Sequence, residues 1–85
     1  MSFFKEIAGK VGSHALGGYN LINFNGEHVY VEGIDRLLGI SPERIEMKIG
    51  KRVLAVTGTE LEVSELEKGS VTISGRIEGE SIVEA

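Results

Sequence analysis

Few residues of this chain could do acid–base or metal chemistry, and they lie far apart in the sequence. There are two histidines, His14 and His28, and no cysteine. His14 lies in a glycine-rich stretch, whereas His28 occupies a polar position in an alternating pattern. Zinc sites need three or four clustered Cys, His or carboxylate ligands. A Cys/His site is therefore excluded, a His/carboxylate site would require the two histidines to converge, and no metal site is predicted.

Motifs for nucleophilic catalysis and nucleotide binding are also missing from the sequence. Ser64, Ser70 and Ser74 have no base at a suggestive spacing, and there is no G-x-S-x-G elbow. The stretches "GRIEGE" and "GKRVLAVTG" contain glycines, but they lack the Walker ending and the tight dinucleotide spacing, so they indicate turns. We therefore expect a protein that is not an enzyme and that holds no cofactor.

Charge is distributed unevenly along the chain, whose formal net charge is −4. Residues 1–59 contain seven Lys/Arg and six Asp/Glu, whereas residues 60–85 contain two Lys/Arg and seven Glu. The acidic balance argues against nucleic acid as a partner. The acidic third of the chain indicates either a solvated face of a sheet or an acidic surface for a basic partner.

The sequence also bears on cellular location. No apolar run approaches the ~20 residues that cross a bilayer, so direct membrane spanning is not expected. The N-terminus lacks the long apolar core of a signal peptide and contains Glu6 early. A cytoplasmic protein is the simplest inference, and the absence of disulfides fits a reducing compartment.

The chain begins with an amphipathic pattern. In "SFFKEIAGKVGSH" the apolar residues recur at helical spacing, which predicts a short helix over residues 1–12, followed by a glycine-rich linker over residues 13–18. A helix of this length is marginal alone and must pack on something. Either it caps the core of its own domain, or it anchors the chain to a partner or a membrane. Its candidate interface residues are Phe3, Phe4, Ile7 and Val11.

From Tyr19 onward the period changes to two, which predicts one β domain over residues 19–85. The pair Asn25-Gly26 is typical of a two-residue type I′ hairpin turn. In "ERIEMKIG" three apolar residues alternate strictly with charged ones. Six or seven short strands separated by glycine turns predict a mainly β fold, a small antiparallel meander that forms a curved sheet, a sandwich or a partly open barrel.

One stretch breaks the alternation. In "RVLAVTG" Val53 and Ala55 lie on one face of the predicted strand, while Leu54 and Val56 put apolar side chains on the other. If the first pair faces the core, then the second pair lies on the surface. Leu54 and Val56 are therefore predicted as interface residues.

From about Leu21 to Ile82 the sequence resembles the YabP/YqfC family of sporulation proteins of endospore-forming bacteria. The resemblance is carried by three stretches whose turn glycines fall at positions 33, 58 and 75: "HVYVEGIDRLLGIS", "ERIEMKIGKRVLAVTGTELEV" and "LEKGSVTISGRIEGESI". It implies a small β-rich protein of the mother-cell cytoplasm, associated with spore cortex and coat formation, which acts with membrane-protein partners at the developing spore surface. It implies no enzymatic activity and no site residues.

Two functional hypotheses follow. The first is an assembly or scaffold module whose sheet edges or apolar face pair with copies of itself, as a homo-oligomer, or with a membrane-bound sporulation protein. The second is a small β-barrel that binds a small ligand such as a saccharide, with Tyr19, Tyr30, Arg36 and Arg52 lining its mouth.

Overall fold

The computed structural model describes residues 19–84, and the predicted helix and linker over residues 1–18 lie outside them. The described chain is mainly β and entirely antiparallel, as predicted. Its six strands are β1 (Asn20–Phe24), β2 (His28–Glu32), β3 (Arg36–Ile40), β4 (Arg44–Ile49), β5 (Arg52–Glu67) and β6 (Ser70–Glu84). Within residues 19–84 no helix has the length and apolar character needed to cross a membrane.

The strands form one sheet in the order β1-β2-β6-β5-β4-β3. A simple meander is therefore wrong at one step, because β2 pairs with β6 rather than with β3. The connection between β2 and β3 is held at the β5–β6 turn, where Gly33 N and Ile34 N both donate to Gly69 O at 2.8 and 3.1 Å. Asp35 N then donates to Lys48 O at 2.8 Å, which places β3 on the far side of β4.

The first hairpin turn forms as the sequence predicts. Asn25 and Gly26 both have positive φ, 55° and 69°, and Glu27 N donates to Phe24 O at 3.0 Å. These are the features of a type I′ turn. Glu27 is an additional residue before β2, and its carbonyl accepts a hydrogen bond from Gly75 N at 3.1 Å. The turn thereby contacts the middle of β6.

The two long strands β5 and β6 each serve two parts of the sheet. The family resemblance places turn glycines at positions 58 and 75, yet both strands continue through these residues. The pairing register slips beside these glycines, and the backbone has positive φ at Glu60 (53°) and Gly75 (135°). Such bulges bend a strand and increase its twist. β5 and β6 therefore bend together between their two ends.

The bend divides the sheet into two halves of four strand segments. The β2 half contains β1, β2, residues 70–74 of β6 and residues 62–67 of β5. The β4 half contains β3, β4, residues 52–59 of β5 and residues 76–84 of β6. The inner faces of the two halves contribute to a single core cluster, which includes Val29, Val31 and Ile73 from the β2 half and Ile45, Met47 and Val56 from the β4 half. The sheet thus folds over, and the inner faces of its two halves pack against each other.

Candidate functional site

The structure corrects the predicted interface at Leu54 and Val56. Their side chains are 2% and 0% exposed and belong to the core cluster. The reason is the register of β5 with β4, because Leu54 lies opposite Met47 and Val56 lies opposite Ile45. Residues directly opposite each other in an antiparallel pair lie on the same face. The other predicted interface residues, Phe3, Phe4, Ile7 and Val11, lie outside the described residues.

A different surface has the properties of an interface, and we call it the β3–β5 cleft. It lies where β3, at the edge of the β4 half, faces residues 62–67 of β5, at the edge of the β2 half. At one end the cleft has a volume of about 430 Å³ and is lined by residues 34–37 and 66–69. At the other end Leu61 N donates to Pro42 O at 2.8 Å. At the first end, Gly33 N and Ile34 N donate to Gly69 O, so backbone hydrogen bonds connect the two sides of the cleft at both of its ends.

Between these ties β3 and residues 62–66 of β5 each have one edge without a strand partner. Within residues 19–84, β3 pairs only with β4, and residues 62–66 pair only with β6. The N–H and C=O groups along such an edge can pair with a strand of another chain. A bulge in β3 between Leu37 and Gly39 interrupts its ladder with β4. The cleft therefore presents two strand edges of five residues each.

Apolar side chains accompany these edges. Ile40 and Leu66 are each 59% exposed, and Leu38 is also exposed. Ile40 lies opposite the buried Ile45, and Leu66 lies opposite the buried Val71, so both continue the inner face of the sheet. They are core-facing positions that the described chain leaves uncovered. A partner that entered the cleft would extend the core.

The opposite side of the molecule has a smaller cleft, which a polar contact crosses. There β1 faces residues 76–84 of β6, and Ile77 N donates to Gly26 O at 2.7 Å. Asn23 Nδ2 donates to Glu80 Oε1 at 2.8 Å across the gap, and the remaining cleft measures about 240 Å³. Charged side chains on an edge oppose pairing with other chains. The two open sides of the sheet are therefore not equivalent.

The residues proposed for a ligand-binding mouth do not come together. The guanidinium of Arg52 lies 5.5 Å from the centre of the Tyr19 ring, a cation–π contact beside the smaller cleft. Arg36 lines the β3–β5 cleft instead. Tyr30 lies on β2 with its hydroxyl donating to Glu32 Oε2 at 3.1 Å. The four residues thus occupy three places rather than one mouth.

Strand pairing does bring one histidine to a serine, which the sequence alone did not reveal. His28 lies opposite Ser74, and its Nδ1 is 3.0 Å from Ser74 Oγ. Ser74 Oγ donates to Ser64 Oγ at 2.8 Å, and Ser64 Oγ donates to the Thr72 carbonyl at 3.2 Å. Which atom donates between His28 Nδ1 and Ser74 Oγ depends on the tautomer of the ring. The arrangement is a chain of hydrogen bonds that runs from the histidine through two serines to the backbone.

Residues 19–84 contain no group of three or more His, Cys, Asp or Glu side chains placed to hold a metal ion. The outer glutamates of β5, on the side of the strand away from the core, lie opposite serine and threonine side chains of β6. Glu62 and Glu65, for example, face Ser74 and Thr72. This part of the acidic third lies on a sheet face.

Burial raises the pKa of Tyr30 to about 12; the hydrogen bond to Ser70 opposes this shift, whereas the bond to Glu32 and its charge reinforce it. The neutral phenol is thus favoured in the folded chain. Because an unfolded tyrosine titrates near pH 10, the resulting stability is fully present below about pH 10 and is lost as the pH rises through about 12.

We expect ultraviolet difference absorbance to show one tyrosine that titrates near pH 12, and the substitution Tyr19→Phe should leave this titration in place. A titration of Tyr30 near pH 10 in the folded chain would contradict the burial.

Comparison with known proteins adds no family to this geometry. No protein-family model matches the chain, and no curated protein matches it with significant similarity.

Proposed function

We propose that this chain is a non-enzymatic assembly module that associates with other protein chains through the β3–β5 cleft. The observation that carries this proposal is the combination of two unpaired strand edges with Ile40 and Leu66, which face inward yet remain 59% exposed. An edge supplies backbone hydrogen bonds to an added strand, and adjacent apolar side chains supply the pocket for its side chains. The cleft offers both.

Association would bury apolar surface that this small domain leaves in water. A fully buried Leu or Ile side chain contributes roughly 1.5–3 kcal/mol relative to an exposed one. Leu38, Ile40 and Leu66 are each about half exposed, so covering them would contribute a few kcal/mol before the cost of association. This amount favours a reversible contact over a permanent one, unless a partner adds further buried area.

The resemblance to the YabP/YqfC family supports a biological setting for this module. We propose that the protein acts in spore cortex or coat formation, in the mother-cell cytoplasm and peripherally at the developing spore surface. There its contacts would be with copies of itself or with a membrane-bound sporulation protein. The edge-and-groove chemistry of the cleft suits either occupant, because strand addition depends mainly on backbone groups.

Association of the purified chain provides the test. We expect the wild-type protein to form dimers or larger oligomers with rising concentration, and Ile40→Lys and Leu66→Lys each to weaken association at least tenfold. A buried ammonium in the cleft is costly, whereas both side chains are largely solvated in the free chain. Light scattering coupled to size-exclusion chromatography measures the mass.

The control variant is Val83→Lys. Val83 is 60% exposed, as Ile40 is, but it lies on β6 away from the cleft. We expect it to associate like the wild type. A wild-type chain that remains monomeric at its highest soluble concentration would refute self-association. Equal weakening by all three lysine variants would show that the cleft is not the contact.

A further inference from the structure

The two edges of the β3–β5 cleft, β3 and residues 62–66 of β5, run antiparallel to each other in one register. Before β3, Ile34 N donates to Gly69 O at 3.1 Å. After β3, Leu61 N donates to Pro42 O at 2.8 Å, so the residue numbers rise along one edge and fall along the other. Eight positions separate the two tied residues on each side of the cleft. The edges therefore match in length, although no strand ladder joins them within residues 19–84.

This register brings apolar residues of both edges to the same levels of the inner face. Two pairs share a level: Leu37 with Leu66, and Ile40 with Val63. All four side chains point inward, because each residue lies opposite a core residue of its paired strand. Both levels keep an apolar side chain largely in water, since Ile40 and Leu66 are each 59% exposed. An edge with the same spacing of inward residues would therefore fit either side of the cleft.

The two edges have opposite charge on the outer face, the side of the sheet away from the core. Arg36 points outward with Lys48, which it faces on β4, because the strand neighbours of Lys48 are in the core. Glu62 and Glu65 point outward because they lie opposite polar residues of β6 that alternate with its core residues. Arg36, Glu62 and Glu65 are exposed, and none of them makes an ion pair within residues 19–84. One edge thus has a cation available, and the other has two carboxylates.

Two copies of the chain can be placed cleft to cleft about a two-fold axis, the commonest symmetry of oligomers, in two orientations. With the axis parallel to the strands, β3 of each copy lies beside residues 62–66 of the other. With the axis perpendicular to the sheet, β3 lies beside β3, and residues 62–66 lie beside their own copy. Both orientations make antiparallel neighbours and cover the exposed apolar side chains of the cleft. The charges on the outer face distinguish them.

Those charges favour the first orientation. In the register of the ties, Arg36 is then a diagonal neighbour of Glu65 of the second copy, a separation that long side chains can span. In the second orientation Glu65, at the midpoint between the two ties, would lie opposite Glu65 of the second copy. Like charges directly opposite each other destabilise a strand pair. The first orientation also keeps the inward pairs at their shared levels.

We propose that two copies of this chain fill each other's β3–β5 cleft, with β3 of each copy paired to residues 62–66 of the other. This inference rests on the proposed function, and it specifies a second copy as the occupant and fixes its orientation. Each half of the sheet then continues into the opposite half of the second copy, inner face to inner face. The dimer is closed, because both edges of each cleft are paired and none is left for a third copy.

The dissociation constant of the dimer in charge variants of the full chain tests this orientation, and sedimentation equilibrium measures it. We expect Arg36→Glu and Glu65→Arg each to raise the Kd about tenfold or more, because each change places a like-charged pair at both contacts of the symmetric dimer. An equimolar mixture of the two variants should form heterodimers with nearly the wild-type Kd, since both contacts then join opposite charges. This restoration requires that the two residues meet between copies.

The matched control for Glu65→Arg is Glu78→Arg, which changes the net charge equally at an exposed position of β6 outside the cleft. It should keep the wild-type Kd. Far-UV circular dichroism confirms that each variant retains its sheet. Unchanged dissociation constants for both Arg36→Glu and Glu65→Arg would overturn the inference.

A milder change separates the two orientations by the direction of its effect. Glu65→Gln should weaken the dimer, because it removes the charge that Arg36 meets, whereas it would tighten a dimer in which Glu65 faces its own copy. Tightening, or a mass that rises beyond the dimer with concentration, overturns this inference and leaves the proposed function in place. A wild-type chain that stays monomeric also overturns it and leaves a different chain as the occupant. Equal weakening by Ile40→Lys and Val83→Lys would instead overturn the proposed function of the cleft itself.

Discussion

Gly58→Ala should lower the free energy of unfolding by about 3 kcal/mol, the upper end of the usual range for overpacking. A Cβ at this position would lie 1.9 Å from the carbonyl oxygen of Arg76 and 3.1 Å from Leu61 Cδ2. The carbonyl belongs to the backbone of the paired strand β6, so it cannot rotate away as a side chain would. Relief of the clash requires the two strands to separate where they bend.

The bend is what gives this sheet a core. Gly58 lies where the register of β5 with β6 slips, between the pair Thr57↔Gly79 and the pair Gly58↔Ile77. Separation of the strands there would move the β2 half away from the β4 half and expose the apolar residues that they share. We therefore expect the destabilisation to appear in the whole domain as one transition, not as local fraying.

Chemical denaturation measures the change, and thermal unfolding should show a Tm lower by roughly 15 °C in a domain of this size. Gly79→Ala is the matched control, because it lies on the paired strand and its Cβ would be 3.5 Å from Thr57 Oγ1, an ordinary contact. Alanine is slightly favoured over glycine within a strand, so this control should be neutral or mildly stabilising. Equal stability of Gly58→Ala and wild type would show that the strands are not in close contact at the bend.

The local parts of this fold could be predicted from the sequence. Strict alternation identified β4 and its buried face, since Ile45, Met47 and Ile49 are all in the core. The pair Asn25-Gly26 identified a hairpin turn, because both residues must adopt positive φ. Each of these features depends on neighbours within a few positions. The class of fold follows from them.

The features that depend on distant pairing could not be predicted. Position 58 looked like an ordinary turn glycine, but it is required by the carbonyl of Arg76 on another strand. The contact between His28 and Ser74 and the open edge beside Leu66 likewise arise from pairing with β6. A sequence pattern shows which residues alternate between the two faces of a strand, but it does not show which strands pair with each other. The candidate site is built almost entirely from such long-range pairing.

The orientation of β5 is an intermediate case. Alternation showed that Leu54 and Val56 share a face, which is true, but it assigned that face to the surface. Both faces of this segment are apolar, and Ala55 is also buried. Only the pairing with β4 decides which face points inward, because Val56 lies opposite Ile45. The prediction therefore described the alternation of side chains correctly but placed Leu54 and Val56 on the surface instead of in the core.

Val56→Asp should abolish folding, and this outcome distinguishes a core position from an interface position. The side chain is 0% exposed, and a carboxylate placed there would be surrounded by the apolar core cluster without an ionic partner. Domains of this size have a total stability of about 4–13 kcal/mol, which the burial of an unpaired charge can exceed. Far-UV circular dichroism should show loss of the sheet at neutral pH.

Leu66→Asp is the matched control, since Leu66 is on the same strand and is largely exposed. It should keep the native spectrum and lose association, whereas Leu54→Ala should remain folded with a cost of about 2–5 kcal/mol from the cavity. A folded Val56→Asp chain that has lost only its association would restore Val56 as a surface residue. The three variants together separate the residues that hold the two halves of the sheet together from those that the β3–β5 cleft offers to a partner.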